Sequence, residues 1–323
     1  MTKNYAKQLV DQLDEFHTYN NPYDDPLDTW IHSSYAEVKS KPKNVDWTKL
    51  YFSPSSANAC PRALYHKAKR HKKDVKKWLP HQRRWVSLGE GVGDMIQREL
   101  LLCDRHFEKF TKKKPKFSMG ITPENYPAFE DFIFKQKVVE HDGVEFSLIG
   151  TSDGILVDND TGDSVILEVK SKQETPSKTS IRAMTSPTED HMKQVVCYSI
   201  MYDVDDAVIL YYNTAKKKWF MTDEDYVNTP DLRAFDVSVT QEDKDEILDF
   251  FAYITKCVNE DSPPLPDLTK WLFNDYKEAI YKSITDEEIN LLEALNELKK
   301  DSLPPYMQKS MKSALEDIKR NKQ

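Results

Sequence analysis

The stretch at residues 150–172 constrains the fold more than any other part of this 323-residue chain. It reads GTSDGILVDNDTGDSVILEVKSK, two runs of strand-forming residues around the turn formers DNDTGD. This pattern predicts a β-hairpin centred between Asp160 and Thr161. Symmetric pairing about that centre places Asp153 directly opposite Glu168. Because facing residues have Cβ atoms about 4.5–5.5 Å apart and like charges repel at that distance, we expect a cation between them.

The chemistry of these carboxylates predicts a metal site. Side chains alternate along a strand, so Glu168 and Lys170 share one face, while Val165, Leu167 and Val169 point to the other face and supply the core. Asp153, Glu168 and the backbone carbonyl of Val169 are hard oxygen ligands suited to Mg²⁺ or Mn²⁺. Such an ion polarises a phosphoryl oxygen and activates water, which Lys170 can orient. The alternative is a solvated or lysine-paired Asp and Glu without a metal.

Hydrophobic periodicity along the rest of the chain indicates a mixed α/β fold. Apolar residues at positions 88, 92, 95, 96 and 100 predict a helix with one buried face. Strand patterns at about 134–140, 145–157 and 164–171 predict one antiparallel sheet. The segment TEDHMKQVVCYSIMYDV is typical of a helix, DAVILYYN of a buried strand and KWFMTDEDY of an edge strand.

The ends of the chain differ in composition from the middle. Residues 1–45 predict an N-terminal arm, made of one amphipathic helix followed by irregular surface chain rich in Pro, Asn and Asp. Residues 46–235 form the predicted central domain. Residues 236–323 are helical in pattern and predict a C-terminal extension, which either caps the domain or binds a partner.

Charge is unevenly distributed. The chain carries 46 Lys and Arg against 54 Asp and Glu, yet residues 62–84 contain ten basic residues and one acid. A basic run is often a solvated helix face, but this one also contains Trp and His, which favours binding to a nucleic acid backbone. The residues predicted to contact nucleic acid in this run are Arg62, Lys69, Arg70, Lys72 and Lys73.

Cysteine usage and the N-terminal sequence favour a cytoplasmic protein. Cys60, Cys103, Cys197 and Cys257 are widely separated, with no C-x-x-C pair, and the N-terminus lacks the apolar run of a signal peptide. No run of about 18 apolar residues occurs, so no contact with a membrane is expected.

The hairpin resembles the PD-(D/E)XK nuclease superfamily. Its pattern G-x-x-D-G followed by E-V-K corresponds to Gly150, Asp153, Gly154, Glu168 and Lys170. The segment HMKQVVCYSIMY matches the Q-x-x-x-Y pattern of the RecB-like branch, which includes CRISPR-associated exonucleases. The two matched residues are Gln194 and Tyr198. The resemblance implies a restriction-endonuclease-like core, with a central mixed β-sheet flanked by helices.

Two departures from that branch stand out. In SPSSANACPRALYH, Cys60 matches an iron–sulfur ligand, but Cys257 is the only cysteine near the C-terminus, so no cluster is expected. In LGEGVGDMIQREL, relatives carry a metal-binding histidine where this chain has Gly93. Asp94 or Glu90 is the predicted substitute ligand.

The resemblance implies a Mg²⁺- or Mn²⁺-dependent deoxyribonuclease, an exonuclease acting on single-stranded ends in recombination, repair or replication. It also implies DNA as the partner, a phage origin and an associated recombination or replication protein. In this interpretation Asp153, Glu168 and Lys170 are catalytic, while Gln194 and Tyr198 steady the lysine or the scissile strand. Two alternatives are a catalytically silent DNA-binding or assembly module and a restriction-type endonuclease.

Overall fold

The computed structural model describes residues 3–216, 218–298 and 302–322. These residues have a mixed α/β architecture with a central mixed sheet flanked by helices, which confirms the predicted fold class. The chain divides into two compact units. Unit 1 consists of the chain up to Asp46, Trp78–Lys137 and Leu148–Asp245, and unit 2 of Trp47–Lys77, Val138–Ser147 and the chain from Glu246 onward. The division into three domains at residues 45 and 235 stays a prediction.

The secondary structure alternates between helices and strands along the chain. The helices are α1 (Tyr5–His17), α2 (Asp25–Ser40), α3 (Pro61–Ala68), α4 (Pro80–Thr111), α5 (Glu189–Tyr202), α6 (Asp223–Asn228), α7 (Gln241–Asn259), α8 (Lys277–Ser283), α9 (Asp286–Leu298) and α10 (Pro305–Asn321). The strands are β1 (Tyr51–Phe52), β2 (Phe117–Met119), β3 (Lys135–His141), β4 (Val144–Gly150), β5 (Gly154–Asp158), β6 (Ser164–Lys172), β7 (Asp206–Asn213) and β8 (Leu232–Ser238).

The larger sheet lies in unit 1 and has the strand order β2-β5-β6-β7-β8. The pair β6 and β7 is parallel and the other pairs are antiparallel. Parallel neighbours require a crossover, which α5 provides. Leu167 and Val208 pack with residues of α1 and α4 in one core, while α5 contacts β6 and β7. The sheet is therefore covered by helices, as the apolar strand patterns require.

The N-terminal residues fold as part of unit 1. On α1, Leu9, Leu13 and Phe16 are buried in the same core as the sheet residues, so the predicted arm supplies core packing. The irregular chain predicted after α1 is wrong for Asp25–Ser40, which is a helix, and is confirmed for residues 18–24 and 41–45. Asp24 accepts a hydrogen bond from the Leu27 N–H at 2.9 Å and caps it. The Asp and Pro residues that suggested a loop are thus the start signals of α2.

Helix α4 confirms the helix predicted around residues 85–103 and extends it in both directions. Val92, Ile96 and Leu100 are buried, as their spacing predicts. Leu88, which the same pattern placed in the core, is 48% exposed. That part of the prediction is wrong because the first turns of α4 extend beyond the packed face of the sheet.

Two predictions about the strands are wrong. The segment at 145–157 is two strands, β4 and β5, interrupted at residues 151–153. Because of that interruption, β3 and β4 pair with β1 in a separate three-stranded sheet, in the order β1-β4-β3. The predicted edge strand in KWFMTDEDY contains α6 instead, because the Thr222 hydroxyl caps a helix by accepting from the Asp225 N–H at 3.1 Å. The edge position belongs to β8, which the sequence pattern missed.

Unit 2 confirms the helical pattern predicted for the C-terminal part of the chain. Phe52 stacks on Phe251 with ring centroids 4.4 Å apart, and Phe146 meets Phe52 edge-on. A second apolar cluster joins α8, α9 and α10. In the part of the chain that the structure describes, no helix has the length and apolar character needed to cross a membrane.

One carboxyl of unit 1, that of Asp104, has a buried oxygen atom without a hydrogen-bond partner. The Asp104 Oδ2 atom on α4 accepts from the Met119 N–H of β2 at 2.9 Å, while Oδ1 is buried without a hydrogen-bond partner. Burial raises the pKa of Asp104 from its ordinary 3.8 to about 7, although the hydrogen bonds from Met119 and Ser118 oppose the shift. This carboxyl joins α4 to the sheet but is costly when ionised.

We expect Asp104→Asn to raise the free energy of unfolding by about 1–3 kcal/mol near pH 8 and to change it little near pH 4. Because the folded-state pKa is raised, stability is highest while the carboxyl is protonated, below about pH 4, and falls as the pH rises through about 7. Urea denaturation at both pH values measures the difference. An equal effect at both would contradict it, and Asp163→Asn, at an exposed turn residue, is the control.

Candidate active site

The hairpin of β5 and β6 has the predicted register. Gly154 pairs with Leu167, and one step further along this register Asp153 faces Glu168. Asp153 precedes the first residue of β5, so its side chain is free to turn toward the edge of β6. There its Oδ2 atom accepts a hydrogen bond from the Val169 N–H at 2.6 Å. The two acids are thus held together by backbone pairing.

Burial makes both acids reluctant to ionise, and the charge of Glu168 adds to this effect at Asp153. Glu168 is 1% exposed. Burial, followed by the negative charge of Glu168, raises the pKa of Asp153 well above its ordinary value. Burial also raises the pKa of Glu168, although the positive charge of Lys170 opposes the shift. The site therefore has a strong tendency to bind a proton or another cation.

Lys170 is held in a hydrogen-bonded chain. Its ammonium forms an ion pair with Glu168 Oε1 and donates to Gln194 Oε1 at 3.1 Å. The Gln194 amide in turn donates to the Tyr198 hydroxyl at 2.7 Å. Tyr198 is 4% exposed, which argues against a direct contact with nucleic acid and favours the alternative role of steadying Lys170. Gln194 and Tyr198 are one turn apart on α5, as their spacing predicts.

Two buried oxygen atoms at the site have no hydrogen-bond partner. They are Glu168 Oε2 and Gln97 Oε1. The Gln97 side chain extends from α4 and donates through Nε2 to the Asp153 carbonyl at 2.9 Å. An unpaired buried oxygen costs free energy, and a carboxylate costs more than an amide. Sequence reasoning missed Gln97, although it lies in the segment LGEGVGDMIQREL, four residues after Gly93.

The donor set fits a hard divalent cation held partly by water. Over the described residues no group of three or more His, Cys, Asp or Glu side chains is arranged around a common metal position. Asp153 and Glu168 therefore supply two carboxylates, and the Val169 carbonyl points to the same edge as its N–H, which contacts Asp153. Mg²⁺ is commonly bound by one or two carboxylates and several waters. The unpaired Glu168 oxygen agrees with this assignment.

Further acids border the carboxylate pair. Glu130 was missed by sequence reasoning, and its backbone N–H donates to the Ser152 carbonyl at 3.2 Å, next to Asp153. Burial, followed by the charges of Asp153 and Asp94, raises the pKa of Glu130 to about 7. Asp94 on α4 thus lies on this side of the site. Glu90, the other predicted substitute ligand, is exposed and lies 3.9 Å from Arg83.

The space at Gly93 is open. A Cβ atom built on Gly93 would have no other atom within 4 Å apart from its own local chain. No neighbouring side chain therefore fills the position at which members of the RecB-like branch carry a histidine. The role of Asp94 or Glu90 as a further ligand stays a prediction, and Glu130, which is coupled to Asp153 and Asp94, is an additional candidate.

His191 also lies near Lys170 and was missed. It is on α5, three residues before Gln194, and its Nδ1 atom is 2.8 Å from the Tyr211 hydroxyl. Burial, followed by the positive charges of Lys170 and Lys172, lowers the pKa of His191 to about 4. The imidazole is therefore neutral at physiological pH. His191 is the first residue of HMKQVVCYSIMY, but no sequence spacing predicts that it lies near β6.

The basic residues predicted to contact nucleic acid belong to unit 2, whereas the carboxylates belong to unit 1. Arg62 is completely buried, pairs with Glu288 Oε1 at 2.5 Å and donates to the Ser283 carbonyl. Its predicted contact with nucleic acid is therefore wrong. Lys69 and Lys73 pair with Asp261 and Asp275, respectively. Arg70 and Lys72 are exposed.

The four cysteines are buried free thiols. Burial raises the pKa of Cys60, and its sulfur accepts from the Asp267 N–H at 3.3 Å. In unit 2, Cys60 therefore joins the start of α3 to the loop after α7. The absence of an iron–sulfur cluster stays a prediction.

No protein-family model and no curated protein matches the chain in sequence. Among solved structures, SSO0001 aligns with a TM-score of 0.40 and 9% identity, over 79% of this chain and 96% of that chain. The alkaline exonuclease LHK-Exo from Laribacter hongkongensis aligns with a TM-score of 0.37 and 11% identity, over 66% and 92%. Its complex with dAMP gives 0.35 and 10%, over 66% and 90%. At these TM-scores the similarities do not establish membership of a family.

Proposed function

We propose that the chain is a metal-dependent DNA exonuclease that hydrolyses phosphodiester bonds from single-stranded ends. The observation that carries the proposal is the Asp153 and Glu168 pair at the edge of β6, with a buried, unpaired Glu168 oxygen and Lys170 on the same face. The matches to the PD-(D/E)XK motifs at these residues support it. A role in recombination, repair or replication would follow from such an activity.

Asp153, Glu168 and the Val169 carbonyl would hold Mg²⁺ or Mn²⁺, with Asp94 or Glu130 as further oxygen donors. When bound, the ion would supply Lewis-acid polarisation of a phosphoryl oxygen and lower the pKa of a bound water. The protein would contribute the fixed position of these oxygens, which the hairpin and the Val169 N–H maintain. Low solvent exposure of Glu168 strengthens its interaction with any cation.

Lys170 would orient the attacking water and offset the charge that develops on the phosphate. Its ammonium is kept in place by Glu168 on one side and Gln194 on the other, so few rotamers are open to it. Tyr198 fixes the Gln194 amide by accepting from its nitrogen, which leaves the amide oxygen facing Lys170. Gln194 and Tyr198 would therefore act as positioning residues for the lysine.

The test is incubation of the purified chain with end-labelled linear and circular DNA, single- and double-stranded, with Mg²⁺ or Mn²⁺. We expect loss of nucleotides from free single-stranded ends while circles are spared, and no reaction in the presence of a chelator. Cleavage of circles would indicate an endonuclease of the restriction type. Binding without cleavage under every condition would indicate a silent DNA-binding or assembly module.

A further inference from the structure

The apolar stripe of α4 continues past the packed part of the helix. Val92 and Ile96 are buried, but Leu88 and Trp85, which precede them on the same helix face, are 48% and 47% exposed. Every residue from Pro80 to Leu88 is exposed. An amphipathic helix normally buries such a stripe, and an uncovered one marks a binding surface.

The exposed turns of α4 lie beside the end of the strand that carries Lys170. The Gln173 amide donates to the Trp85 carbonyl at 3.0 Å. A Cβ atom on Gly89 would lie 3.2 Å from Ser171 Oγ, so the helix passes close to the strand at this point. Ser171 and Gln173 are the first and third residues after Lys170. The stripe is therefore next to the proposed catalytic residues.

The same helix links the stripe to the acids. Asp94, whose charge acts on Glu130, is nine residues after Trp85, which is roughly 13 Å along a helix axis. At about 3.4 Å for each stacked nucleotide, this distance corresponds to roughly four bases. One nucleic acid strand can thus reach the carboxylates and Trp85 together.

The positive charges in these turns favour a nucleic acid as the ligand of the stripe. Arg83 and Arg84 directly precede Trp85 in sequence and are exposed. Arg83 donates to the Ser87 hydroxyl at 2.6 Å, and Arg84 forms no ion pair with any residue that the structure describes. Exposed aromatic rings beside arginines bind single-stranded nucleic acid, because unpaired bases stack on the rings while guanidinium groups meet phosphates. A duplex hides its base faces and does not use such a surface.

We propose that the first turns of α4 bind the bases of a single DNA strand, with Trp85 as the stacking residue. The phosphodiester backbone of the same strand would lie at Asp153 and Glu168. This inference rests on the proposed function, because it takes DNA as the ligand. It assigns the preference for single-stranded DNA to α4 of unit 1, where Arg83 and Arg84 end the basic run, and not to the five predicted basic contact residues, which belong to unit 2.

The experiment measures binding of a fluorescein-labelled oligothymidylate to the full-length chain by anisotropy, with Ca²⁺ in place of Mg²⁺. We expect Trp85→Ala to weaken binding roughly 5- to 150-fold, the range of one lost base–aromatic stack. Trp85→Phe, which keeps a ring, should retain most of the affinity. Trp219→Ala, at a tryptophan of unit 1 that is 93% exposed, is the matched control and should bind like the native chain.

Native affinity in Trp85→Ala would overturn the inference, and so would equal losses in Trp85→Ala and Trp219→Ala. A native dimer that Trp85→Ala converts to a monomer, with unchanged DNA binding, would assign the stripe to self-association and also overturn it. Hydrolysis of a nitrophenyl phosphodiester by the native chain with Mn²⁺ reports on the proposed chemistry separately. If that reaction fails while DNA binding still depends on Trp85, the proposed nuclease activity is rejected and the stacking surface at Trp85 is retained.

Discussion

Lys170→Ala should lower the rate of DNA hydrolysis by about 10²–10⁴-fold, the usual contribution of a positioned proton-transfer group. The substitution removes the cation that pairs with Glu168 and orients the water, while the carboxylate pair itself remains. Rates on end-labelled single-stranded DNA with saturating Mn²⁺ measure the effect. Because the proposed metal ligands are unchanged, Mn²⁺ should still raise the melting temperature of the variant.

The matched control for this prediction is Lys178→Ala. Lys178 is also in unit 1, is half exposed and pairs with Glu174 at 3.5 Å, so its removal should leave the rate unchanged. Gln194→Ala should give an intermediate loss, since Lys170 would keep Glu168 but lose its second partner. Native rates in Lys170→Ala would remove the lysine from the mechanism.

The geometry of the hairpin was predictable because it is local. Turn formers fix the centre, the two-residue period of a strand fixes the faces, and the pairing of Asp153 with Glu168 follows from counting. The relation between Gln194 and Tyr198 is equally local, since residues four apart share a helix face. Such features depend on fewer than twenty consecutive residues.

Residues brought together by tertiary packing were not predictable in this way. Glu130 reaches the site because its loop is bonded to the chain just before Asp153, and no spacing in the sequence encodes that contact. Gln97 reaches the chain at Asp153 because of the way in which α4 crosses the sheet, whereas Asp94 on the same helix is predicted from the resemblance of LGEGVGDMIQREL. The sequence predicts the helix, but not which of its other residues face the site.

Charge counting along the chain misjudged the basic run. The count treats every Lys and Arg as exposed, but Arg62 is buried by packing against residues more than two hundred positions away, where Glu288 neutralises it. A buried arginine needs such partners, because an unpaired charge in the interior is unstable. Local composition therefore overestimated the surface available to DNA in unit 2.

Asp153→Asn should abolish activity and stabilise the metal-free protein at the same time. Asn cannot ionise, so the substitution removes the cost of burying a carboxylate beside the charge of Glu168. We estimate this cost at about 1–3 kcal/mol, so the free energy of unfolding should rise by that order. The Asn oxygen can still accept from the Val169 N–H, so the hairpin keeps its contact. Hydrolysis should fall at least about 10²-fold, because a ligand of the proposed cation is weakened.

The response to Mn²⁺ distinguishes the loss of a metal ligand from a general gain in stability. At a concentration 100 times its Kd, a ligand that binds the folded state adds about 2.7 kcal/mol to the free energy of unfolding. The native chain should therefore gain stability with Mn²⁺, whereas Asp153→Asn should gain much less. Urea denaturation with and without Mn²⁺ measures both quantities.

Asp158→Asn, at the other end of β5, is the control, because it should lower the free energy of unfolding where Asp153→Asn should raise it. Asp158 is also buried, and burial alone would raise its pKa, but Lys116 at 2.6 Å and nearby backbone N–H groups lower that pKa overall. Its replacement should destabilise the protein and leave the response to Mn²⁺ unchanged, because a paired carboxylate already has its cation. Asp153→Asn could instead destabilise the metal-free protein, or Mn²⁺ could stabilise the variant as much as the native chain. Either result would mean that Asp153 and Glu168 do not form a metal site, and the proposed active site would be wrong.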